Sequence, residues 1–254
     1  MDVAIVTADG ATLRGWLRPP LWLQPGEPPP PGPAALVVHG WGGSAFDMLP
    51  VSEPLRDAGL RVLLLDTRGH GRSDDAAVSS MPAFADDIRE ALSWLRKLPQ
   101  VDPSRVALVG HSVGAGACLF VAATDPTIAA VVSLASMADP HAFMSRHLRQ
   151  RLPGLLTAVV LRYIEHTIGH RFTEFAPIHT IQRARAPILL LHGQRDTTVP
   201  VSDAHHLHAR APGRSTLVVM PESDHNSVEA LQGAKPALLD FLREAGLVAA
   251  HSGT

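Results

Sequence analysis

Six short apolar runs recur along this chain without the polar and apolar alternation of a half-exposed strand, and they constrain its fold more than any other feature. They are Ala34 to Val38, Arg61 to Leu65, Arg105 to Val109, Ile128 to Leu134, Pro187 to Leu191 and Ser215 to Met220. Continuous runs of this kind suit strands buried on both faces. Helical patterns lie between several of them, at Ser52 to Ala58, Ala83 to Leu98, Val113 to Ala123, Ser202 to Ala211 and Val228 to Ala245. Strands alternating with helices predict a parallel sheet covered by helices on both sides, an α/β fold.

Two features frame that pattern. Asp2 to Thr7 and Thr12 to Arg18 flank Asp9-Gly10, a hairpin signal, and predict an antiparallel edge. The proline-rich stretch Pro25 to Pro33 lacks the donors a sheet ladder needs and reads as an extended surface connector. Between Leu134 and Pro187 roughly fifty residues intervene where a simple loop takes ~2 to 6, so an inserted cap over about 137–185 is expected. Its stretch Leu155, Leu156, Val159, Val160, Tyr163 and Ile164 has helical spacing and predicts the apolar underside of a small lid. At 254 residues the chain otherwise fits one domain, 1–254.

Composition excludes several classes. With 46% hydrophobic and 18% charged residues the chain has material for a sizeable core. A net charge of −2 supplies no basic field for a nucleic-acid backbone. The lone Cys118 excludes an internal disulfide, and Met1 to Ala4 has no basic stretch followed by an apolar run, so a cytoplasmic address is expected. Val106 to Thr124 lacks Asp, Glu, Lys and Arg, but its glycines, His111 and Ser112 make a strand, a turn and a buried helix the better reading than a membrane span.

Gly110-His111-Ser112-Val113-Gly114 follows a strand-like run and opens a helix-like one. There Gly-x-Ser-x-Gly has a mechanical meaning: a sharp, strained turn exposes the hydroxyl, and glycines on either side avoid collision with neighbouring backbone. In a chain with 20 glycines the pattern alone arises by chance in roughly one such sequence in ten, so its flanks carry the weight. A serine hydroxyl is a weak nucleophile near neutrality and needs a base held by a third group. Asp196 follows the strand-like run ending at Leu191, and His225 follows the one ending at Met220. Both lie where parallel sheets place ligands, beyond the strands' C-terminal ends.

With those residues the chain resembles the α/β-hydrolase superfamily, whose triad runs Ser, Asp, His in chain order. The resemblance spans nearly the whole chain and is nearest to the esterase and serine-aminopeptidase-like branch. Its landmarks are His39-Gly40-Trp41-Gly42-Gly43, Asp66-Thr67-Arg68-Gly69-His70-Gly71-Arg72-Ser73, the Ser112 turn, and the Asp196 and His225 loops. It implies a mostly parallel eight-stranded sheet with helices on both faces and a small helical cap. It further implies Ser112 as nucleophile, His225 as base, Asp196 as orienting acid, and the backbone N–H groups of Trp41 and Val113 as oxyanion donors. Gly40, Trp41 and Tyr163 are expected at the substrate. No cofactor or metal is implied.

Other assignments stay open at this stage. Asp224 and Asp139 are alternative acids. His39 reads as a structural hydrogen-bonder, and Arg68 and His70 as packing or ion-pair residues. His205, His206 and His208 lie on a polar helix without acidic or cysteine partners and read as a solvated face. The expected reaction is hydrolysis of a small-molecule ester, with short or medium acyl chains favoured. A thioesterase, an amidase or peptidase, a perhydrolase or acyltransferase shares the machinery, and a ligand-binding member that does not catalyse shares the fold. Oligomeric state is not legible.

Overall fold

The computed structural model describes residues 1–23, 30–227 and 233–248. Strands β1 (Asp2–Val6) and β2 (Thr12–Arg18) form the expected hairpin. The core strands follow as β3 (Gly32–Val38), β4 (Arg61–Asp66), β5 (Val101–His111), β6 (Ala130–Leu134), β7 (Ile188–Gly193) and β8 (Ser215–Met220). All eight belong to one sheet in the order β1-β2-β4-β3-β5-β6-β7-β8. β2 runs antiparallel to both of its neighbours, and every pairing from β4 through β8 is parallel.

Helices α1 (Leu49–Asp57), α2 (Met81–Arg96), α3 (Val113–Ala122), α8 (Val201–Arg210) and α9 (Lys235–Glu244) cover the sheet. Alternate residues of β3 explain why its sequence shows no alternation. Ala34, Leu36 and Val38 pack into a core with α2 and α3, while Ala35 and Val37 pack into the opposite core with α1 and α9. The pleat sends successive side chains to opposite faces, and here both faces are dry. Cys118 is buried in the first of these cores, and burial pushes its thiol pKa up.

Between β6 and β7 the chain runs through α4 (Pro140–Arg149), α5 (Gly154–Ile168), α6 (Phe172–Phe175) and α7 (Pro177–Thr180). Leu161, Phe172 and Phe175 are buried in the core shared with α2 and α3, and Ile164 and Ile168 pack against it. Several sequence boundaries move, two of them by more than three residues. β5 begins at Val101 rather than Arg105, because Gly32 pairs with Val101 ahead of a register shift. Of the helix expected over Val228 to Ala245, the described part starts at Lys235, and 228–232 lie outside the described residues. The same holds for 24–29, which contain most of the proline-rich connector.

Candidate active site

The strand order reverses at β3: the chain leaves it for β4 on one side and returns past it to β5 on the other. A crevice opens beyond the C-terminal ends of strands at such a point. Gly40 and Trp41 follow β3, Ser112 follows β5, Asp196 follows β7 and His225 follows β8. Four distant segments thus deliver their side chains or amides to one edge of the sheet.

Ser112 sits between β5 and α3 with φ 53° and ψ −117°, in the positive-φ region that a residue with a Cβ rarely adopts. Its N–H donates to the carbonyl of Leu134 at 2.8 Å, and its carbonyl accepts from Gly116 at 3.1 Å, so the turn is pinned from both sides. The glycines around it are sterically required. A Cβ on Gly110 would lie 2.5 Å from the backbone of Gly114, and one on Gly114 would lie 2.3 Å from the carbonyl oxygen of His39. A Cβ on Gly40 would lie 3.1 Å from the Cβ of Ser112, so the loop after β3 passes directly against the serine.

His225 Nε2 is 3.1 Å from Ser112 Oγ, and its Nδ1 is 2.7 Å from Asp196 Oδ2. The second carboxylate oxygen, Oδ1, accepts the N–H groups of Thr198 at 2.9 Å and Val199 at 2.8 Å. Burial alone would raise the Asp196 pKa. Hydrogen bonds from His192, His225 and the Val199 amide outweigh it and hold the carboxyl well below the ordinary carboxylate range. Asp196 is therefore ionised and orients the His225 ring from a fixed position. The N–H groups of Trp41 and Val113 have no hydrogen-bond partner among the described residues. Val113 is the first residue of α3, where an amide has no acceptor within its own helix.

Two positioning histidines were not singled out from sequence. His111 Nε2 donates to the carbonyl of His225 at 2.7 Å, and burial drives its pKa down from 6.5 to about 4, so it is neutral. His192 Nε2 lies 2.8 Å from the carbonyl of Val199 and 3.3 Å from Asp196 Oδ2. Each ties one site loop to the end of a core strand. Their signal was the position itself, a histidine at the C-terminal end of a strand's apolar run.

The other residues weighed from sequence fall into place around this group. Asp139 is the N-cap of α4, accepting from the N–H groups of His141 at 2.9 Å and Ala142 at 3.1 Å. Asp224 is exposed and accepts from the Asn226 N–H and the Ser227 hydroxyl. His39 is buried, donates through Nδ1 to the Gly40 carbonyl at 2.7 Å and accepts the Thr67 N–H at 3.2 Å. Arg68 pairs with buried Asp87 at 2.6 Å, and His70 packs edge-on against Phe84. His205 and His206 are exposed on α8, and His208 bonds the Ser215 hydroxyl. Among the described residues no group of three or more His, Cys, Asp or Glu side chains could hold a metal ion.

Two cavities meet at Ser112, Trp41, His225 and Asn226. One, of about 500 Å³, runs beneath the helices between β6 and β7 and is walled by Met137, Phe143, Met144, Ile164, Ile168 and Phe175. The other, of about 660 Å³, opens along the loop after β3 past Phe46, Asp47 and Pro50. Tyr163 lines neither, and its expected place at the substrate is corrected. Its side chain is 68% exposed, as are Leu155 at 81% and Val159 at 59%. Helix α5 is apolar on two opposite stripes, and at about 100° per residue Ile164 and Ile168 face the cavity, with Leu161 buried in the core beside them, while Tyr163 points away. Periodicity alone could not say which stripe turns inward.

A sequence model for the alpha/beta hydrolase fold matches residues 33–176, and one for TAP-like proteins matches 168–252. The chain belongs to the α/β-hydrolase family. An uncharacterized protein of Mycobacterium tuberculosis (strain ATCC 25618 / H37Rv) is 31% identical over 243 residues, which are 95% of this chain and 77% of that protein. A polyketide transferase of Penicillium sp is 32% identical over 141 residues, 54% of this chain and 45% of that one. Among solved structures, an esterase of Pyrococcus furiosus superposes with a TM-score of 0.72 at 23% identity, covering 96% of this chain and 92% of the esterase. That likeness establishes the α/β-hydrolase fold. It leaves the chemistry to the residues.

Proposed function

We propose that this α/β hydrolase is a serine carboxylesterase that cleaves short- to medium-chain acyl esters through an acyl-serine intermediate. The observation that carries the reading is the hydrogen-bonded line from Ser112 Oγ through the His225 ring to an ionised Asp196, set beside two amides that lack acceptors among the described residues. His225 takes the Ser112 proton as Oγ attacks the ester carbonyl. Negative charge on the carbonyl oxygen is met by the N–H groups of Trp41 and Val113, an arrangement in which one lost donor typically costs ~100 to 1,000-fold in rate. His225 then protonates the departing alcohol, and water repeats the sequence to release the acid. The helices between β6 and β7 act as a small cap over the apolar cavity, which receives the acyl chain, while the cavity along the β3 loop takes the leaving group.

A second reading, transfer of the acyl group to an alcohol or amine in place of water, draws on the likeness to a polyketide transferase and on the second cavity at Ser112. Labelling with a fluorophosphonate, followed by a screen of p-nitrophenyl esters of rising chain length beside thioesters and amides, with and without an added alcohol or amine acceptor, tests both. Labelling at Ser112 with hydrolysis of the shorter esters is expected, and Ser112→Ala lowers kcat by about 10^6 without loss of fold. A folded protein that neither labels nor turns over any of these substrates would rule out the serine mechanism and leave a ligand-binding member of the family.

A further inference from the structure

Helix α5 is apolar on its solvent side as well as its buried side. Leu155, Leu156, Val159 and Tyr163 are all at least 51% exposed, and they form one stripe along about 12 Å of helix. A helix that is apolar all round ordinarily has something on both sides of it. The surroundings of the stripe say what covers it. Residues 137–185 contain seven arginines against Asp139, Glu165 and Glu174, a net charge of +4 in a chain whose total is −2, so the rest of the molecule carries −6. Arg162 pairs with Glu165, whereas Arg146, Arg149 and Arg151, at the end of α4 and in the turn into α5, are exposed and make no ion pair among the described residues.

We propose that α5 docks this protein on an anionic lipid bilayer, with its outer stripe in the interfacial layer and Arg146, Arg149 and Arg151 against the headgroups. An apolar helical face preceded in the chain by exposed cations has the chemistry of interfacial binding, and each cation near an anionic surface adds about fivefold in affinity. The acidic remainder of the molecule is repelled by the same surface, which orients the insertion toward it. A second copy is a poorer occupant: four side chains fall far short of the ~20 residues a side of a stable interface. The inner face of the same helix walls the apolar cavity at Ser112, so the docked surface adjoins the site. The inference stands on the insertion alone and does not require the esterase reading.

Co-sedimentation of the full chain with phosphatidylcholine vesicles, and with vesicles containing about one-third phosphatidylglycerol, tests it. Binding to the anionic vesicles at least about tenfold tighter than to the neutral ones, weakened by added salt, is expected. Arg149→Glu with Arg151→Glu, and separately Leu155→Ser with Val159→Ser, should each reduce that binding at least about tenfold. Both pairs alter exposed side chains, and circular dichroism with the melting temperature checks the fold. Equal binding to both vesicle types, or indifference to both double substitutions, overturns the proposal. So does a solution dimer that the Leu155 and Val159 substitutions dissociate, since a second copy would then own the stripe.

Discussion

Asp196 and His225, on loops after adjacent strands β7 and β8, are held with Oδ2 and Nδ1 2.7 Å apart while the other carboxylate oxygen accepts two backbone N–H groups. The carboxylate is thus immobilised independently of the ring it orients. Asp196→Asn would keep the shape but lose the charge and allow the wrong tautomer, lowering kcat by roughly 10^4. Asp139→Asn should leave turnover within a factor of about two, and Asp139→Ala should cost about 1 kcal/mol of stability through the lost cap of α4. Steady-state kinetics and urea titration of the three variants separate the two aspartates. An Asp139→Asn enzyme slower than Asp196→Asn would reassign the acid.

Trp41 and Tyr163 were both expected at the substrate, and they are now distinguished. Trp41 borders both cavities, whereas Tyr163 borders neither. Trp41→Ala should move the preferred acyl length upward, with each methylene contributing ~1 to 3 kcal/mol of discrimination. Tyr163→Ala should leave kcat/KM for soluble esters unchanged. Rates across a p-nitrophenyl ester series provide the comparison.

His111 predicts how stability depends on pH. Its pKa is lowered from 6.5 to about 4 in the fold, so between those values the unfolded chain binds a proton that the folded chain does not. Stability from this group is complete above about pH 6.5 and is lost as the pH falls toward 4, by about 1.4 kcal/mol per pH unit. Buried His39, whose pKa burial also lowers, has the same sign. Urea midpoints should therefore fall between about pH 6.5 and 4.5, and His111→Gln should flatten the slope. A wild-type midpoint constant over that window would contradict the assignment.

Gly114 makes the sharpest packing prediction. A Cβ there would stand 2.3 Å from the His39 carbonyl oxygen, an atom of the β3 end that cannot move without shifting the Trp41 amide. Gly114→Ala should cost ~1 to 3 kcal/mol or more. It should also depress kcat/KM at temperatures where the variant is still folded. Thermal melts and kinetics on the same preparation read the two effects.

What the sequence determined by itself was the set of strands, the Ser112 turn and the order of the chemistry-bearing loops. Those signals are local: a strand buried on both faces must be apolar at every position, and a tight strand-to-helix turn with a backbone at 2.3 to 2.5 Å must carry glycine. Tertiary structure decided what depends on distant segments meeting. Asp196, not Asp224 or Asp139, faces His225, because the pairing of β7 with β8 brings its loop there. His111 and His192 gained their positioning contacts from neighbouring loops, which no single segment specifies. Helix α5 could turn either apolar stripe inward, and the choice of Ile164 and Ile168 over Tyr163 was made by packing against the core. Helical periodicity sets the angle between two stripes, but only the surface they meet decides which one is buried.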